Sequence, residues 1–176
     1  LMASMLPEKM TMTFKDNKYL TELSAGIGMF KLTFIADNEQ KTLFQLLQLM
    51  NKKLAVELDE KGAKEVVDND FEDVTILHTN EKDSLAGYLC NKAIAIFDDP
   101  TKPEMTLYYT NDIQLKNPNW CNQFHQIDGV LLGYEIDQFN LRMRITAVSV
   151  EKKKIDDETF NVDSDFKFIS SKKMKK

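Results

Sequence analysis

The imidazole and thiol side chains of this chain are few: two histidines, His78 and His125, and two cysteines, Cys90 and Cys121. Cys121 and His125 are four positions apart, a spacing at which two side chains meet on a helical turn as a thiol–imidazole pair or as two metal ligands. Zinc needs further ligands, and none follows at a matching spacing. His78 lies in a strand-like run, where a surface-facing histidine is the ordinary interpretation. We therefore expect no catalytic residue, no bound metal and no other cofactor.

Carboxylates are abundant, and they are densest in residues 57–73, which hold eight acidic side chains against two lysines. Acidic residues at every second position from Asp68 offer oxygens to a cation. A calcium-binding EF-hand loop starting there would need Gly at its sixth position and Glu at its twelfth, where this chain has Asp73 and Thr79. We expect a solvated loop instead, with a helical turn at Ala63–Val67. A carboxylate pair of the glycosidase type is not singled out, because its separation is a three-dimensional quantity.

Composition limits the classes of protein to which the chain can belong. It has 176 residues, 43% hydrophobic and 29% charged, which fits one globular domain. A net charge of -5 argues against a nucleic-acid surface, since phosphate binding needs a basic face. No apolar run approaches the roughly 18 residues of a membrane-spanning helix. We expect a non-native or disordered N-terminus at residues 1–7, a single domain at 8–170 and a disordered basic tail at 171–176.

Apolar and polar residues alternate through most of the chain, which is typical of half-buried β-strands. Alternation on both sides of the polar residues 15–18 predicts a hairpin, and residues 137–140 separate the arms of another. A turn is expected at Asn80–Ser84, and Phe160 to Phe168 is expected to be extended. About ten strands result, at residues 10–14, 19–23, 30–34, 42–50, 54–58, 74–79, 88–97, 105–110, 130–136 and 141–150.

Residues 41–58 fit two structures. Their apolar side chains recur at intervals that would place them on one side of a helix. The same residues form two alternating runs, Thr42–Met50 and Leu54–Leu58, with a turn at residues 51–53. Because alternating segments lie on both sides, we predict the hairpin.

The fold class predicted from these patterns is mainly β with minor α: a single curved antiparallel sheet that forms an unclosed half-barrel. Nine methionines and eleven phenylalanines are many for this length, and methionine adapts to irregular apolar partners. Either these side chains fill the core, or they line an apolar face that binds a ligand. The candidate ligand-binding residues are Met12, Phe14, Phe30, Leu32, Phe34, Leu107, Tyr109, Met143 and Ile145.

Three segments resemble strands of an uncharacterised group of bacterial envelope lipoproteins: Asp83–Ala93, Leu107–Ile113 and Ile127–Tyr134. In that group the strands carry the patterns I-A-G-Y-K-C-x-K-A, Y-Y-T-x-x-I and I-x-G-x-L-L-x-Y, in this order. The N-terminal hairpin and the turn at Lys52–Ala55 are similar as well, so the resemblance covers about residues 8–168. These are strand-packing residues, and no catalytic assignment comes with them.

The resemblance implies a fold like that of LolA and LolB, in which a curved, unclosed antiparallel sheet is covered by helices. It implies a non-enzymatic protein of the cell envelope, periplasmic or anchored to the outer membrane as a lipoprotein whose leader has been removed. The expected partners are a lipid or a lipoprotein acyl chain, or an envelope protein if the sheet fills its own core. No nucleic acid and no transmembrane segment are expected. Whether Cys90 and Cys121 pair stays open.

Overall fold

The computed structural model describes residues 7, 9–26, 28–138 and 141–174. The fold is mainly β, with 50% strand and 11% helix, and its two curved sheets do not close into a barrel, which confirms the predicted mainly β class and the absence of barrel closure in the described strands. The strands are β1 (Met10–Lys15), β2 (Lys18–Ala25), β3 (Phe30–Asp37), β4 (Thr42–Leu49), β5 (Lys52–Leu58), β6 (Val74–Leu85), β7 (Tyr88–Phe97), β8 (Met105–Thr110), β9 (Val130–Gln138), β10 (Leu141–Thr146) and β11 (Lys167–Phe168). The helices are α1 (Glu60–Asp70), α2 (Ser171–Met174) and a 3₁₀ helix at Asp157–Phe160.

The strands form two sheets, so the prediction of a single sheet is wrong. The first sheet has the order β1-β2-β3-β4-β5-β11, with antiparallel hairpins followed by one parallel pair, β5 with β11. The second has the order β10-β9-β8-β7-β6 and is antiparallel throughout. Helix α1 separates β5 from β6 in the chain. In the first sheet β5 lies between β4 and β11, so its second neighbour is a strand that is distant in the sequence.

The described residues divide into two compact units. The first comprises the residues up to Ala63 together with those from Lys154 onward, and the second comprises Lys64–Lys153. Each unit contains one of the two sheets. The assignment of residues 8–170 to a single domain stays a prediction. Residues 1–6 of the predicted N-terminal segment lie outside the described residues.

Residues 57–73 fold differently from the predicted solvated loop, because most of them form helix α1. Asp59 caps its first turn: its side chain accepts a hydrogen bond from the Gly62 N–H at 2.8 Å, and its carbonyl accepts one from the Ala63 N–H. Ala63 is buried, and Lys64 pairs with Asp68 one turn later at 3.1 Å. The cap and the buried alanine stabilise a helix in a stretch that has little apolar periodicity.

Most hairpins lie where the alternation predicts them. Residues 41–58 form the β4–β5 hairpin, which confirms that choice over a helix, and its turn begins at Met50 rather than Asn51. The β1–β2 turn has positive φ at Asp16 (50°) and Asn17 (61°), the backbone of a type I′ turn. The β9–β10 hairpin is also present, although two residues of its predicted turn, 139 and 140, lie outside the described residues and β10 ends earlier than predicted, at Thr146.

The turn predicted at Asn80–Ser84 is wrong. Strand β6 continues to Leu85 with a shift in pairing register between His78 and Lys82, and the chain turns at Ala86–Gly87, where φ is 51° and 85°. Two positive φ values in a two-residue connection fit a type I′ turn, for which glycine is suited. Polar residues 80–84 face water in a strand at the sheet edge, so their composition resembles that of a turn.

The C-terminal segment is less extended than predicted. Phe160 lies in the 3₁₀ helix, and only Lys167–Phe168 pairs as a strand. Residues 171–174 of the predicted disordered tail form α2, whereas residues 175 and 176 lie outside the described residues.

Candidate functional site

Five of the nine candidate residues share one face of the first sheet. Residues directly opposite each other in an antiparallel pair point to the same side. Met12 pairs with Thr21, which pairs with Phe34, and Leu32 lies two residues from Phe34 and pairs with Leu23. We call this side of β1–β5 the apolar face, because its positions are Met10, Met12, Phe14, Tyr19, Leu23, Ala25, Phe30, Leu32, Phe34, Ala36, Leu43, Leu47, Leu49, Leu54, Val56 and Leu58, interrupted at Thr21, Gln45 and Lys52.

Burial changes along the apolar face from one end of the strands to the other. Tyr19, Ala36, Leu43 and Leu58, near the end that holds the β1–β2 and β3–β4 turns, are buried. The side chain at the opposite end, Leu49, is 44% exposed. The five candidates, Met12, Phe14, Phe30, Leu32 and Phe34, are all half-buried. Large apolar side chains therefore keep accessible surface over much of this face.

The opposite side of the same sheet is covered, and we call it the core face. Leu20, Ile35, Leu46 and Ala55 pack there against Phe160 from the C-terminal segment. Ile155, Val162 and Phe166 from the same segment extend this cluster, together with Phe44 of β4.

Two lysines of the first sheet bind the C-terminal segment through hydrogen bonds and ion pairs. Lys15 Nζ donates to the Ile155 carbonyl at 3.0 Å and to Asp157 Oδ1 at 2.6 Å. Lys53 Nζ donates to Asp165 Oδ2 at 2.5 Å. Lys15 and Lys53 lie on strands at opposite edges of the β1–β5 group, so the segment is held on both sides.

The other four candidates lie on the second sheet, so the nine do not lie on one sheet as predicted. Leu107 belongs to a core cluster on one face of this sheet. Tyr109 packs against the same cluster, and Met143 and Ile145 pair with Ile136 and Tyr134, which also pack against it. Leu107 has no exposed surface. These four side chains thus belong to a face that is covered within its own unit.

The cover of that face comes from residues 111–129, for which the alternation predicts no strand. Phe124 and Ile127 pack into the cluster. Asn119 is buried, and its Nδ2 donates to the carbonyls of Ile127 at 2.8 Å and Gly129 at 2.9 Å. The one feature of the sequence that indicates this close packing is the glycine at position 129. A Cβ there would lie 2.7 Å from the Tyr109 ring, so a larger residue would not fit.

The imidazole and thiol groups do not converge. His78 is exposed and its Nδ1 lies 3.2 Å from the Tyr109 hydroxyl, whereas His125 is exposed in the 111–129 segment. Cys90 is fully buried, and this burial raises the pKa of its thiol. Neither Cys90 nor Cys121 forms a disulfide bond. Within the described ranges, no group of three His, Cys, Asp or Glu side chains is arranged to hold a metal ion.

One polar cluster around a buried carboxylate was not predicted from the sequence. It consists of Glu135 on β9 and of Arg142 and Arg144 on β10, all on the face of the second sheet opposite its core cluster. Both arginines bind the nearly buried carboxylate, so the cluster joins the two strands. The signal in the sequence is Arg at alternate positions in one arm of a hairpin, facing Glu in the other.

No helix among the described residues is long and apolar enough to cross a membrane.

Comparison with solved structures supports the β-rich fold. Two structures of PNGF-II, in the C2 and P21 space groups, superpose with TM-scores of 0.61 and 0.60 at 16% and 14% sequence identity. The match covers 94% and 96% of this chain, but only 28% and 29% of the PNGF-II chains, so this chain spans less than a third of their length. At this identity the similarity concerns the fold alone.

Comparison of sequences gives one family. Residues 1–166 match the family described as Domain of unknown function (DUF4412). No curated protein matches the sequence.

Proposed function

The chain belongs to the DUF4412 family, and we propose that it is a non-enzymatic protein of the cell envelope that binds a lipid or another apolar ligand on the apolar face of its first sheet. The observation that carries this proposal is the difference between the two sides of that sheet. The core face is covered by Phe160 and its neighbours, whereas the apolar face keeps half-buried Met, Phe and Leu side chains over much of its area.

The residue types suit a hydrocarbon ligand. Burial of an acyl chain contributes about 0.8 kcal/mol per CH₂, so roughly eight methylenes would contribute about 6 kcal/mol before the cost of immobilising the ligand. Met12 adapts to an irregular partner, and the rings of Phe30 and Phe34 offer large flat contact areas. Polar groups on this face are few, so we expect selectivity for chain length rather than for a headgroup.

The envelope location is the second part of the proposal and is supported by the resemblance of β6–β9 to strands of envelope lipoproteins. A fold of the LolA and LolB type, periplasmic or held at the outer membrane by a lipid anchor, is proposed on the same ground. Fractionation of cells that produce the full-length tagged protein tests it. We expect the protein with the periplasm or the outer membrane, and recovery in the cytoplasm would overturn this part.

Titration with a fluorescent fatty acid tests the binding site. Leu32→Ala/Phe34→Ala removes two side chains from the apolar face, and we expect affinity to fall at least about tenfold, or about 1.4 kcal/mol. Phe44→Ala is the matched control, since Phe44 is also a half-buried phenylalanine of the same sheet but lies on the core face. Unchanged affinity in the double variant, or an equal loss in the control, would contradict the proposal.

Native mass spectrometry of the purified protein provides a test without a chosen ligand. A co-purified lipid mass that is lost in Leu32→Ala/Phe34→Ala would support binding at the apolar face. Its retention in that variant would place the lipid elsewhere and count against the proposed site.

A second candidate function is a protein-interaction module of the envelope whose sheets fill their own cores. The second sheet favours it, because Phe124 and Ile127 fill the face that carries Leu107 and Tyr109. A lipid-free protein that binds no fatty acid but retains an envelope protein in a pull-down would favour this function over ligand binding.

A further inference from the structure

We propose that one end of the first sheet inserts into the surface of an anionic lipid bilayer. This end carries three exposed apolar side chains, Met29, Leu49 and Met50, which we call the methionine tip. Their exposed fractions are 57%, 44% and 66%. Leu49 is also a position of the apolar face, whereas Met29 and Met50 lie in the turns beyond it, so substitution of the two methionines tests membrane insertion separately from ligand binding.

The methionine tip is built from two turns held together. Met29 belongs to the β2–β3 turn, and Met50 begins the β4–β5 turn. The Met50 N–H donates to the Met29 carbonyl at 2.8 Å, and Leu49 pairs directly with Phe30. The three side chains are therefore displayed by adjacent, hydrogen-bonded backbone. Backbone that is already hydrogen-bonded loses less conformational entropy on insertion than a free loop would.

The two ends of the same sheet differ in polarity. At the far end, the β1–β2 and β3–β4 turns are joined by polar groups: Asn17 Nδ2 donates to Glu39 Oε1 at 2.9 Å, and the Asn38 N–H donates to the Asn17 carbonyl. That end also carries Asp16 and Asp37. A turn exposed to water is normally of this kind. Exposed methionines in both connections at the other end thus indicate an apolar partner.

The charges beside the methionine tip are complementary to an anionic lipid surface. Residues 26–31 and 48–53, which include the methionine tip, contain three lysines and no acidic residue, in a chain whose net charge is -5. Lys31 pairs with Glu22 and Lys53 with Asp165, whereas Lys52, immediately after the β4–β5 turn, is exposed. Lysine beside a buried apolar group can extend to phosphate headgroups. The far end of the same sheet carries Asp16, Asp37 and Glu39, which an anionic surface repels, and this difference orients the methionine tip toward the lipid.

Methionine suits disordered acyl chains better than a rigid protein groove. Its unbranched, flexible side chain fits irregular apolar surroundings. Two methionines and a leucine give the shallow apolar contact typical of peripheral insertion, where apolar groups reach the boundary between headgroups and acyl chains. We therefore expect reversible binding that depends on both the apolar and the basic groups.

Vesicle flotation tests the proposal. The wild-type protein should bind vesicles of phosphatidylcholine with phosphatidylglycerol more tightly than vesicles of phosphatidylcholine alone. Met29→Ser/Met50→Ser should weaken this binding at least about tenfold. Leu77→Ser/Leu89→Ser is the matched control, because these leucines are 52% and 54% exposed on the second sheet, and it should bind like the wild type. Absence of wild-type binding, or equal losses in the two variants, would overturn the proposal.

Two further measurements separate insertion from charge attraction. In the Met50→Trp variant, brominated acyl chains should quench the fluorescence of the introduced tryptophan. In the Leu77→Trp variant they should not. Trp120 is present in both variants and adds the same background fluorescence to each. Lys52→Gln should weaken binding to the anionic vesicles about fivefold and remove part of the salt dependence. An unquenched Met50→Trp protein bound to vesicles would exclude insertion.

The fatty-acid titration distinguishes failure of this proposal from failure of the ligand-binding one. Met29→Ser/Met50→Ser leaves Leu32 and Phe34 in place, so it should bind the fluorescent fatty acid with wild-type affinity while losing vesicle binding. If it loses both together, the methionine tip is not a separate membrane-binding element.

Discussion

Arg142 binds the carboxylate of Glu135 through two guanidinium nitrogens, with Nε at 2.9 Å and Nη2 at 2.5 Å from Oε2. Arg144 donates a hydrogen bond to the other carboxylate oxygen, from its Nε to Oε1 at 2.8 Å. Arg142 Nη2 also donates to the Glu104 carbonyl at 2.6 Å, so this residue joins the β9–β10 hairpin to the loop before β8. Burial raises the pKa of Glu135, but hydrogen bonds from Arg144 and Arg142 outweigh it and hold that pKa below its ordinary value.

Replacing Glu135 by Gln should lower the free energy of unfolding at pH 7 by about 1–3 kcal/mol, since charge-assisted hydrogen bonds to a buried carboxylate are lost. Because the pKa is depressed in the folded state, this stabilisation is present above the unfolded-state pKa and disappears as pH falls through the folded-state pKa. The stability difference between wild type and variant should therefore shrink on acidification. Urea unfolding at pH 7 and at pH 3 measures it.

The two arginines provide an internal comparison for this prediction. Arg144 has a side chain that is 78% exposed, against 31% for Arg142. Arg144→Gln should therefore cost less stability than Arg142→Gln, because exposed ion pairs are screened by solvent. If Arg144→Gln instead lowers the free energy of unfolding more than Arg142→Gln, the hydrogen bond from Arg142 to the Glu104 carbonyl does not stabilise the hairpin as expected.

Gly129→Ala should destabilise the second unit by about 1–3 kcal/mol. The added Cβ would lie 2.7 Å from the Tyr109 ring and 3.0 Å from the Thr110 carbonyl, so the 111–129 segment must move away from β8. Gly133→Ala is the milder comparison, with nearest approaches of 3.1 Å to the side chains of Leu85 and Tyr108. Thermal unfolding should give a lower Tm for Gly129→Ala than for Gly133→Ala, and the reverse order would contradict this packing.

Phe160→Ala should lower the free energy of unfolding by about 3–5 kcal/mol, because Phe160 is buried in the cluster on the core face of the first sheet. Phe168→Ala is the matched control in the same segment: Phe168 is 53% exposed, and its ring packs in a T-shaped arrangement with the Phe44 ring, with 6.3 Å between the two ring centroids. We expect a loss below about 1.5 kcal/mol for the control. Denaturant titration of both variants tests whether the C-terminal segment is anchored at Phe160.

Alkylation should distinguish the two thiols. Cys90 is fully buried and its pKa is raised by that burial, so both access and thiolate formation are suppressed. Cys121 is half-buried and should react first with iodoacetamide at pH 8. Cys90 should become modified only when denaturant is added, as followed by peptide mass spectrometry. Modification of Cys90 at the rate of Cys121 in the native protein would contradict its position in the core.

Strand positions and the sharing of faces could be predicted from the sequence because both follow from local alternation. The pattern of Phe30, Leu32 and Phe34 against Lys31 and Thr33 identifies one side of β3 without any knowledge of its neighbours. The hairpin at residues 41–58 was predicted by the same logic, although helix periodicity competed with it. The turn at Ala86–Gly87 was missed, since the polar residues before it are typical of a loop and also of a sheet edge exposed to water.

The arrangement of the candidate residues on one face was predicted in part, and their role as a binding site stays a prediction. Met12, Phe14, Phe30, Leu32 and Phe34 do share a face, because alternation and hairpin register determine this together. Leu107 carries the same local signal, yet it is covered by Phe124 and Ile127. No local pattern distinguishes a covered apolar face from an accessible one.

The sequence by itself determined that the chain is mainly β, where most of its strands lie and which side chains of each strand share a face, since a period of two residues is a property of the strand alone. Only the tertiary structure decided that the strands form two sheets, that β5 pairs with β11 more than a hundred residues later in the chain, and that Phe160 covers one side of the first sheet. The physical reason is that these contacts join segments distant in the chain. Their stability depends on the fit between two apolar surfaces, and neither surface alone specifies its partner.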